Sequence, residues 1–140
     1  MTGGAGTGKT FTTKAIFQSL VRMYNNMNEY DPTKLKGIIT TYTGKETFNA
    51  RGVTLHSALS MSFNKSKYLP LNNEKLDTLT KHYQQLSIML IDETSFVRST
   101  FLYQIDKRLR EIKHIPTTYF RNVDIIFLVT SIKHNPSNIL

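Results

Sequence analysis

No cysteine occurs anywhere in the chain. A disulfide-stapled scaffold and a thiolate metal centre are therefore both excluded. Long apolar runs are missing as well. The longest, Ile88–Ile91 and Ile125–Val129, fall far short of a bilayer-spanning helix. No apolar segment of signal-peptide length lies near Met1. Acidic side chains are scarce, 10 against 18 Lys plus Arg, which leaves a net charge of +8. What is present suits a folded domain: 39% of the residues are hydrophobic and 11% aromatic, enough to build a core and too many for an acidic or Pro-rich disordered chain. At 140 residues the length allows one domain of ordinary size and hardly two. These properties predict one soluble, intracellular α/β domain without membrane association.

The basic excess is uneven. Residues 1–70 carry nine basic and three acidic side chains, and residues 71–140 carry nine and seven. A positive surface concentrates polyanions, of which nucleic acid is the commonest. A merely solvated basic surface fits the charge count equally well, so the count alone leaves both open.

Periodicity supplies the scaffold. A helix is predicted after Thr10, with Ile16, Leu20 and Tyr24 on one face and Phe17 and Val21 beside it, ending near Asn25–Pro32. Gly37–Tyr42 reads as a strand closed by Thr43-Gly44, with a short helix through Phe48 and a break at Arg51-Gly52. Leu55–Met61 suggests one or two helical turns, and Asn64–Asn73 a loop. Glu74–Leu86 has helical spacing through Leu76, Leu79, Tyr83 and Leu86. Ser87–Ile91 is a buried strand that stops at Asp92-Glu93. Thr100–Lys113 is a helix with Leu102, Ile105, Leu109 and Ile112 inward; Pro116 ends the next loop and Val123–Val129 is another buried strand. Strands alternating with helices predict a parallel sheet with right-handed crossovers.

Three segments carry chemistry. Gly3-Gly4-Ala5-Gly6-Thr7-Gly8-Lys9-Thr10 fits the phosphate-loop pattern G-x-x-x-x-G-K-[ST] in full. Glycines let consecutive N–H groups turn inward onto phosphate oxygens, and the following helix adds its positive dipole end. Lys9 would reach the β- and γ-phosphates of ATP and Thr10 would ligate Mg²⁺. A Gly-rich turn that merely precedes a helix is the bland alternative, and the complete pattern argues against it. In the second segment, Ile88–Glu93, a buried strand delivers two carboxylates to its C-terminal end, where open α/β sheets bind ligands. Asp92 would hold Mg²⁺ and Glu93 would polarise the attacking water. The third segment, Thr40–Lys45 with Arg51–Ser57, is rich in hydroxyls, small residues and basic groups. Such a surface suits a single-stranded backbone. Its composition alone favours the plainer reading, in which His56 is a cap or core residue. His82, His114 and His134 have no metal-ligand spacing, and Ser57, Ser60 and Ser95 lack a nucleophile elbow.

Taken in order, these segments resemble the PIF-one-like DNA helicases of superfamily 1, including those of Helitron-type mobile elements. Thr2–Thr10 resembles the family's T-G-x-A-G-T-G-K-[ST]. TGKETFNARGVTLHS, Thr43–Ser57, resembles T-G-x-A-A-x-x-x-x-G-x-T-x-H-S, and IDETSFV, Ile91–Val97, resembles I-D-E-x-S-M-V. The resemblance implies a P-loop NTPase of RecA-like α/β fold. It implies an ATP-dependent 5′-to-3′ DNA helicase acting on single-stranded DNA or forks, in the nucleus or mitochondrion, within the repair, recombination and telomere roles of that family. Gly3–Thr10 would bind ATP; Lys9, Asp92 and Glu93 would be catalytic; Thr10 and Asp92 would hold Mg²⁺; Thr43, Gly44, His56 and Ser57 would follow the DNA. Residues 1–140 would form part of the first RecA-like domain.

The departures are specific. Lys45-Glu46-Thr47 replaces small residues, and Phe120-Arg121-Asn122 stands where the family has Phe-Gly-Gly. Val129–Pro136 replaces the G-D-x-x-Q-L-P-P-V segment with its γ-phosphate-sensing Gln. Against the family pattern, the strand that leads into the phosphate loop and the second RecA-like domain with its arginine finger are expected to be missing from residues 1–140. An arginine finger is worth on the order of 10³ or more in rate. The sheet is therefore expected to be incomplete at both ends, and the isolated chain to bind nucleotide weakly with little turnover and no translocation. A non-catalytic nucleotide- or nucleic-acid-binding relic is the alternative. A small nucleotide kinase is a third reading, disfavoured by the absence of an Arg-rich lid.

Overall fold

The computed structural model describes residues 9–27, 31–42, 53–62, 67–92 and 98–128 (for Lys9, Thr10 and Arg121, the backbone). Helix α1 spans Lys9–Met27, strand β1 Gly37–Thr41 and strand β2 Val53–Thr54. Helix α2 is Leu55–Ala58, α3 is Asn73–His82, β3 is Ile88–Asp92 and α4 is Ser99–Ile112. A 3₁₀ turn at Tyr119–Asn122 leads into β4, Asp124–Phe127. The four strands form one sheet in the order β2-β1-β3-β4, and every pairing is parallel. The α/β fold with a parallel sheet and flanking helices is thus the one expected from the alternation of elements.

β3 lies between two neighbours and is covered on both faces, which explains its unbroken apolar run. Alternation along it divides the core. Met89 and Ile91 join Ile105, Leu109, Ile112 and Leu55 on one face. Ile88 and Leu90 join Phe17 and Leu128 on the other, beneath α1. The adjacent pairs Ile38/Ile39 and Ile125/Ile126 split in the same way.

Local chemistry sets the helix ends. Thr54 caps α2 by accepting a hydrogen bond from the Ser57 N–H at 3.1 Å, and Asn72 caps α3 through the Lys75 N–H at 2.9 Å. Glu74 in the first turn of α3 and Lys81 in its last complement the helix dipole. α4 closes in a Schellman motif: His114 sits at φ 55°, its N–H bonds the Glu111 carbonyl, and the Ile115 N–H bonds the Arg110 carbonyl.

Several details differ from the sequence expectation. Ile16 is 49% exposed, because α1 meets the sheet through Thr13, Phe17, Leu20, Val21 and Tyr24 instead. α3 ends at His82. Tyr83 and Leu86 are still buried, but they lie beyond the helix, and the Tyr83 hydroxyl donates to the Ala58 carbonyl at 3.0 Å. In α4 Phe101 is buried, whereas Leu102 is only partly so. The two-residue strand β2 exists because β1 offers it an edge. β4 is shorter than Val123–Val129 and not fully buried, with Phe127 38% exposed. The loop after α4 does not end at Pro116 but continues into the 3₁₀ turn, where Phe120 (φ 46°) and Asn122 (φ 57°) adopt the left-handed backbone. Asn tolerates that region better than most side chains, so Asn122 can hold a turn that glycine would otherwise make.

Candidate active site

The Tyr24 hydroxyl donates to the carboxylate of Asp124, the first residue of β4. Val21 and Phe17 lie against Gly37, the first residue of β1. α1 therefore runs antiparallel to the strands, with its C-terminal half over their starts. Eight residues separate Lys9 from Phe17, about 12 Å at 1.5 Å per residue. A five-residue strand covers roughly 16 Å. The first turn of α1 thus lies toward the carboxyl edge of the sheet.

β3 ends at that edge in Asp92, which is half-buried and is the register partner of Thr41. The Tyr42 N–H donates to the Asp92 carbonyl at 3.3 Å and ties the two strand ends together. Counting by twos from Ile88 and Leu90 places Asp92 on the α1 side, and counting from Ile39 places Thr41 there too. A carboxylate and the N-terminal turn of a 19-residue helix thus share one edge and one face of the sheet. A carboxylate there can bind a divalent cation, and the helix start offers N–H groups to an anion.

The other face carries an aromatic group that sequence reasoning missed. His56 is buried, 6% exposed, and stacks on Phe101 with centroids 5.0 Å apart. Tyr42 meets His56 edge-on at 5.8 Å and Phe101 at 5.2 Å. Burial pushes the His56 imidazole down to about 4, so it is neutral at physiological pH. Ser57, the next residue, is exposed. His56 therefore sits beneath this surface and Ser57 on it. Gly3, Gly4, Ala5, Gly6, Thr7, Gly8, Glu93, Thr43 and Gly44 lie outside the described residues, as do the helix expected through Phe48 and the break at Arg51-Gly52.

A buried polar clasp on α4 was also missed. Arg108, 4% exposed, pairs with Glu111 at 2.7 Å and donates to the Leu69 carbonyl at 3.0 Å. Glu111 accepts from the Leu71 N–H at 2.8 Å and from the Tyr68 hydroxyl. The Arg110–Asp106 pair at 2.8 Å does similar work, with Asp106 accepting from the Phe120 N–H at 2.7 Å. Only the i, i+3 and i, i+4 spacing of these charges was visible in the sequence.

This is a RecA-like sheet with flanking helices. The sequence pattern of the AAA domain family matches residues 1–129, and the chain belongs to that family. Within it the chain is similar to Pif1 helicases. It is 30% identical over 117 residues to the ATP-dependent DNA helicase Pif1 of Campylobacter jejuni, covering 79% of this chain and 24% of that protein. The solved structure of Bacteroides sp Pif1 in complex with ADP-AlF4 matches with a TM-score of 0.66 and 26% identity, over 96% of this chain and 30% of that one. Bacteroides Pif1 bound to ssDNA matches with a TM-score of 0.58 and 25% identity, over 92% and 27%. The PIF-one-like resemblance is borne out, and the homology is that of a helicase-like ATPase domain. The chain spans about a quarter of the length of the curated relative it matches.

Proposed function

We propose that the chain is a first RecA-like motor domain of an ATP-dependent 5′-to-3′ DNA helicase, which binds Mg-ATP at the carboxyl edge of the sheet and single-stranded DNA beside α2. The observation that carries this reading is the convergence of Asp92 and the first turn of α1 on one edge and one face. The relatives solved with ADP-AlF4 and with ssDNA support it.

The roles follow from charge and position. Gly3–Gly8 would wrap the phosphates with backbone N–H groups, and Lys9 would offset the β- and γ-phosphate charge. Asp92 suits a hard cation, so Thr10 and Asp92 would hold Mg²⁺, which when bound neutralises charge on the transferring phosphoryl group. Glu93 would accept a proton from the attacking water. Thr43, Gly44 and exposed Ser57 would line the DNA path, with His56 supporting Ser57 from below.

The test is Mg-ATP titration of the folded chain beside Lys9→Ala and Asp92→Ala. Micromolar binding that Lys9→Ala abolishes and Asp92→Ala weakens supports the reading; equal binding by all three overturns it. ATP binding without DNA-stimulated hydrolysis would favour a non-catalytic nucleotide-binding role.

A further inference from the structure

Beyond α2, on the face opposite α1, the turn at Ser60, the segment Lys67–Leu71, the start of α3 and the flank of α4 enclose a cavity of about 330 Å³. Lys67, Lys75 and Arg108 line it together with Ser60, Tyr68 and Asn72, and among the described residues none that lines it is acidic. Glu111 offsets the Arg108 charge from behind, so the positive charge left over at the cavity is that of Lys67 and Lys75, and an anion between them is favoured. Among the described residues neither Lys67 nor Lys75 forms an ion pair.

Side-chain contacts tie the walls of the cavity together. Arg108 lies under the Tyr68 ring at 5.0 Å and reaches the Ser60 and Leu69 carbonyls at 3.4 and 3.0 Å, while Glu111 fastens Tyr68 and Leu71 from behind. One buried donor is left over: the Arg108 Nε–H has no hydrogen-bond partner among the described residues. A buried N–H without an acceptor costs about 1–3 kcal/mol, a cost recovered by any acceptor that reaches it. Asn72 and Lys75 on the wall bring in the N-terminal end of the ten-residue α3, whose dipole also favours an anion.

We infer that this cavity is a second phosphate site, separate from the nucleotide edge, which seats a backbone phosphate of single-stranded nucleic acid. The choice of nucleic acid rests on the DNA path proposed above: Ser60, on the cavity wall, follows exposed Ser57 by three residues, just past the end of α2, so the cavity adjoins that path.

The experiment titrates the full chain with a fluorescent oligo-dT across a salt series. It compares Lys67→Ala/Lys75→Ala with Lys34→Ala/Lys81→Ala, which removes the same charge near the opposite end of α3. Each phosphate contact contributes about 0.7 to the salt slope on a single strand, so losing two contacts lowers the slope by about 1.4 and weakens binding roughly 25-fold at 0.1 M salt. A much smaller loss in the control variant is expected. Equal losses in both variants, or undiminished binding by Lys67→Ala/Lys75→Ala, overturn the cavity site and leave the proposed helicase function standing. A parallel arm follows backbone amide shifts of Ser60, Leu71 and Asn72 on adding tripolyphosphate. If the wild-type chain binds no oligonucleotide yet tripolyphosphate shifts those amides, and does not in the double variant, the phosphate site stands and its DNA assignment falls. If neither probe binds, both fall.

Discussion

At Gly37 α1 packs so near the start of β1 that the strand has no room for a side chain. A Cβ there would stand 2.6 Å from Val21 Cγ2, 2.8 Å from Phe17 Cζ and 2.9 Å from Ile88 Cγ2. Carbon atoms are comfortable at about 3.5–4.0 Å, so each contact is short by roughly 1 Å. None of the three neighbours has an easy escape. Val21 is β-branched and stiff in a helix, and Phe17 is 6% exposed. Ile88, 1% exposed, is the register partner of Gly37 itself. Relief requires α1 to lift from β1 and β3. Gly37→Ala should therefore cost about 2–3 kcal/mol, the upper part of the range for over-packing. At this chain length that corresponds to a Tm lower by about 10 °C. Urea unfolding followed by circular dichroism should show a lower midpoint with an unchanged m-value. Val21→Ala in the Gly37→Ala background should recover part of the loss, with a coupling of about 1 kcal/mol or more. Mg-ATP affinity should fall in step, since lifting α1 carries Lys9 and Thr10 away from Asp92. A Gly37→Ala protein within about 0.5 kcal/mol of wild type, or strict additivity with Val21→Ala, would refute this account of the helix–sheet contact.

Other outcomes follow from the buried charges and caps. The His56 imidazole titrates near 4 in the folded protein against an ordinary 6.5, so only the unfolded chain takes up its proton between those values. Its stabilising contribution is complete above pH 6.5 and is lost as pH falls toward 4, by up to about 3 kcal/mol. His56→Phe should remove that slope, and a stability difference between the two proteins that stays constant from pH 7 to 4.5 would count against a buried neutral imidazole. Glu111→Gln leaves the Arg108 guanidinium, 4% exposed, without its counter-charge and should cost about 3 kcal/mol in urea unfolding; a loss under 1 kcal/mol would mean that solvent in the adjoining cavity screens the charge. His114→Gly relieves a left-handed backbone position at the end of α4 and should gain about 0.5–1 kcal/mol. A lower Tm would show that the 3.3 Å Thr80–His114 contact outweighs the backbone term.

Much of the architecture can be read from spacing along the chain. The run Ile88–Ile91 announces a strand covered on both faces, and the 3- and 4-residue spacing of Ile105, Leu109 and Ile112 announces α4. The order of a Gly-rich loop, a hydroxyl-rich segment and an Asp-Glu strand end points to the family, because phosphates and cations demand those residue types whatever surrounds them. The part of the site that lies in the described residues, the start of α1 and Asp92, is likewise implied by sequence, since parallel strands deliver their C-terminal residues to one edge.

What spacing could not settle is which surfaces meet. Ile16 and Thr13 are both compatible with a helical stripe, and Thr13 is the buried one because α1 turns the face of Phe17 and Val21, not that of Ile16, onto the sheet. Tyr83 leaves the end of α3 to reach the Ala58 carbonyl, 25 residues away in sequence. Composition favoured a cap or core role for His56 and the resemblance a DNA contact; its burial, stacked on Phe101 with Tyr42 edge-on, decided for the core. Tyr68 and Glu111 lie 43 residues apart, and nothing along the chain pairs them. Local periodicity and ligand chemistry are written in neighbouring residues. Contacts between distant segments depend on how the helices dock, and docking is decided by the fit of whole surfaces, which no single segment contains.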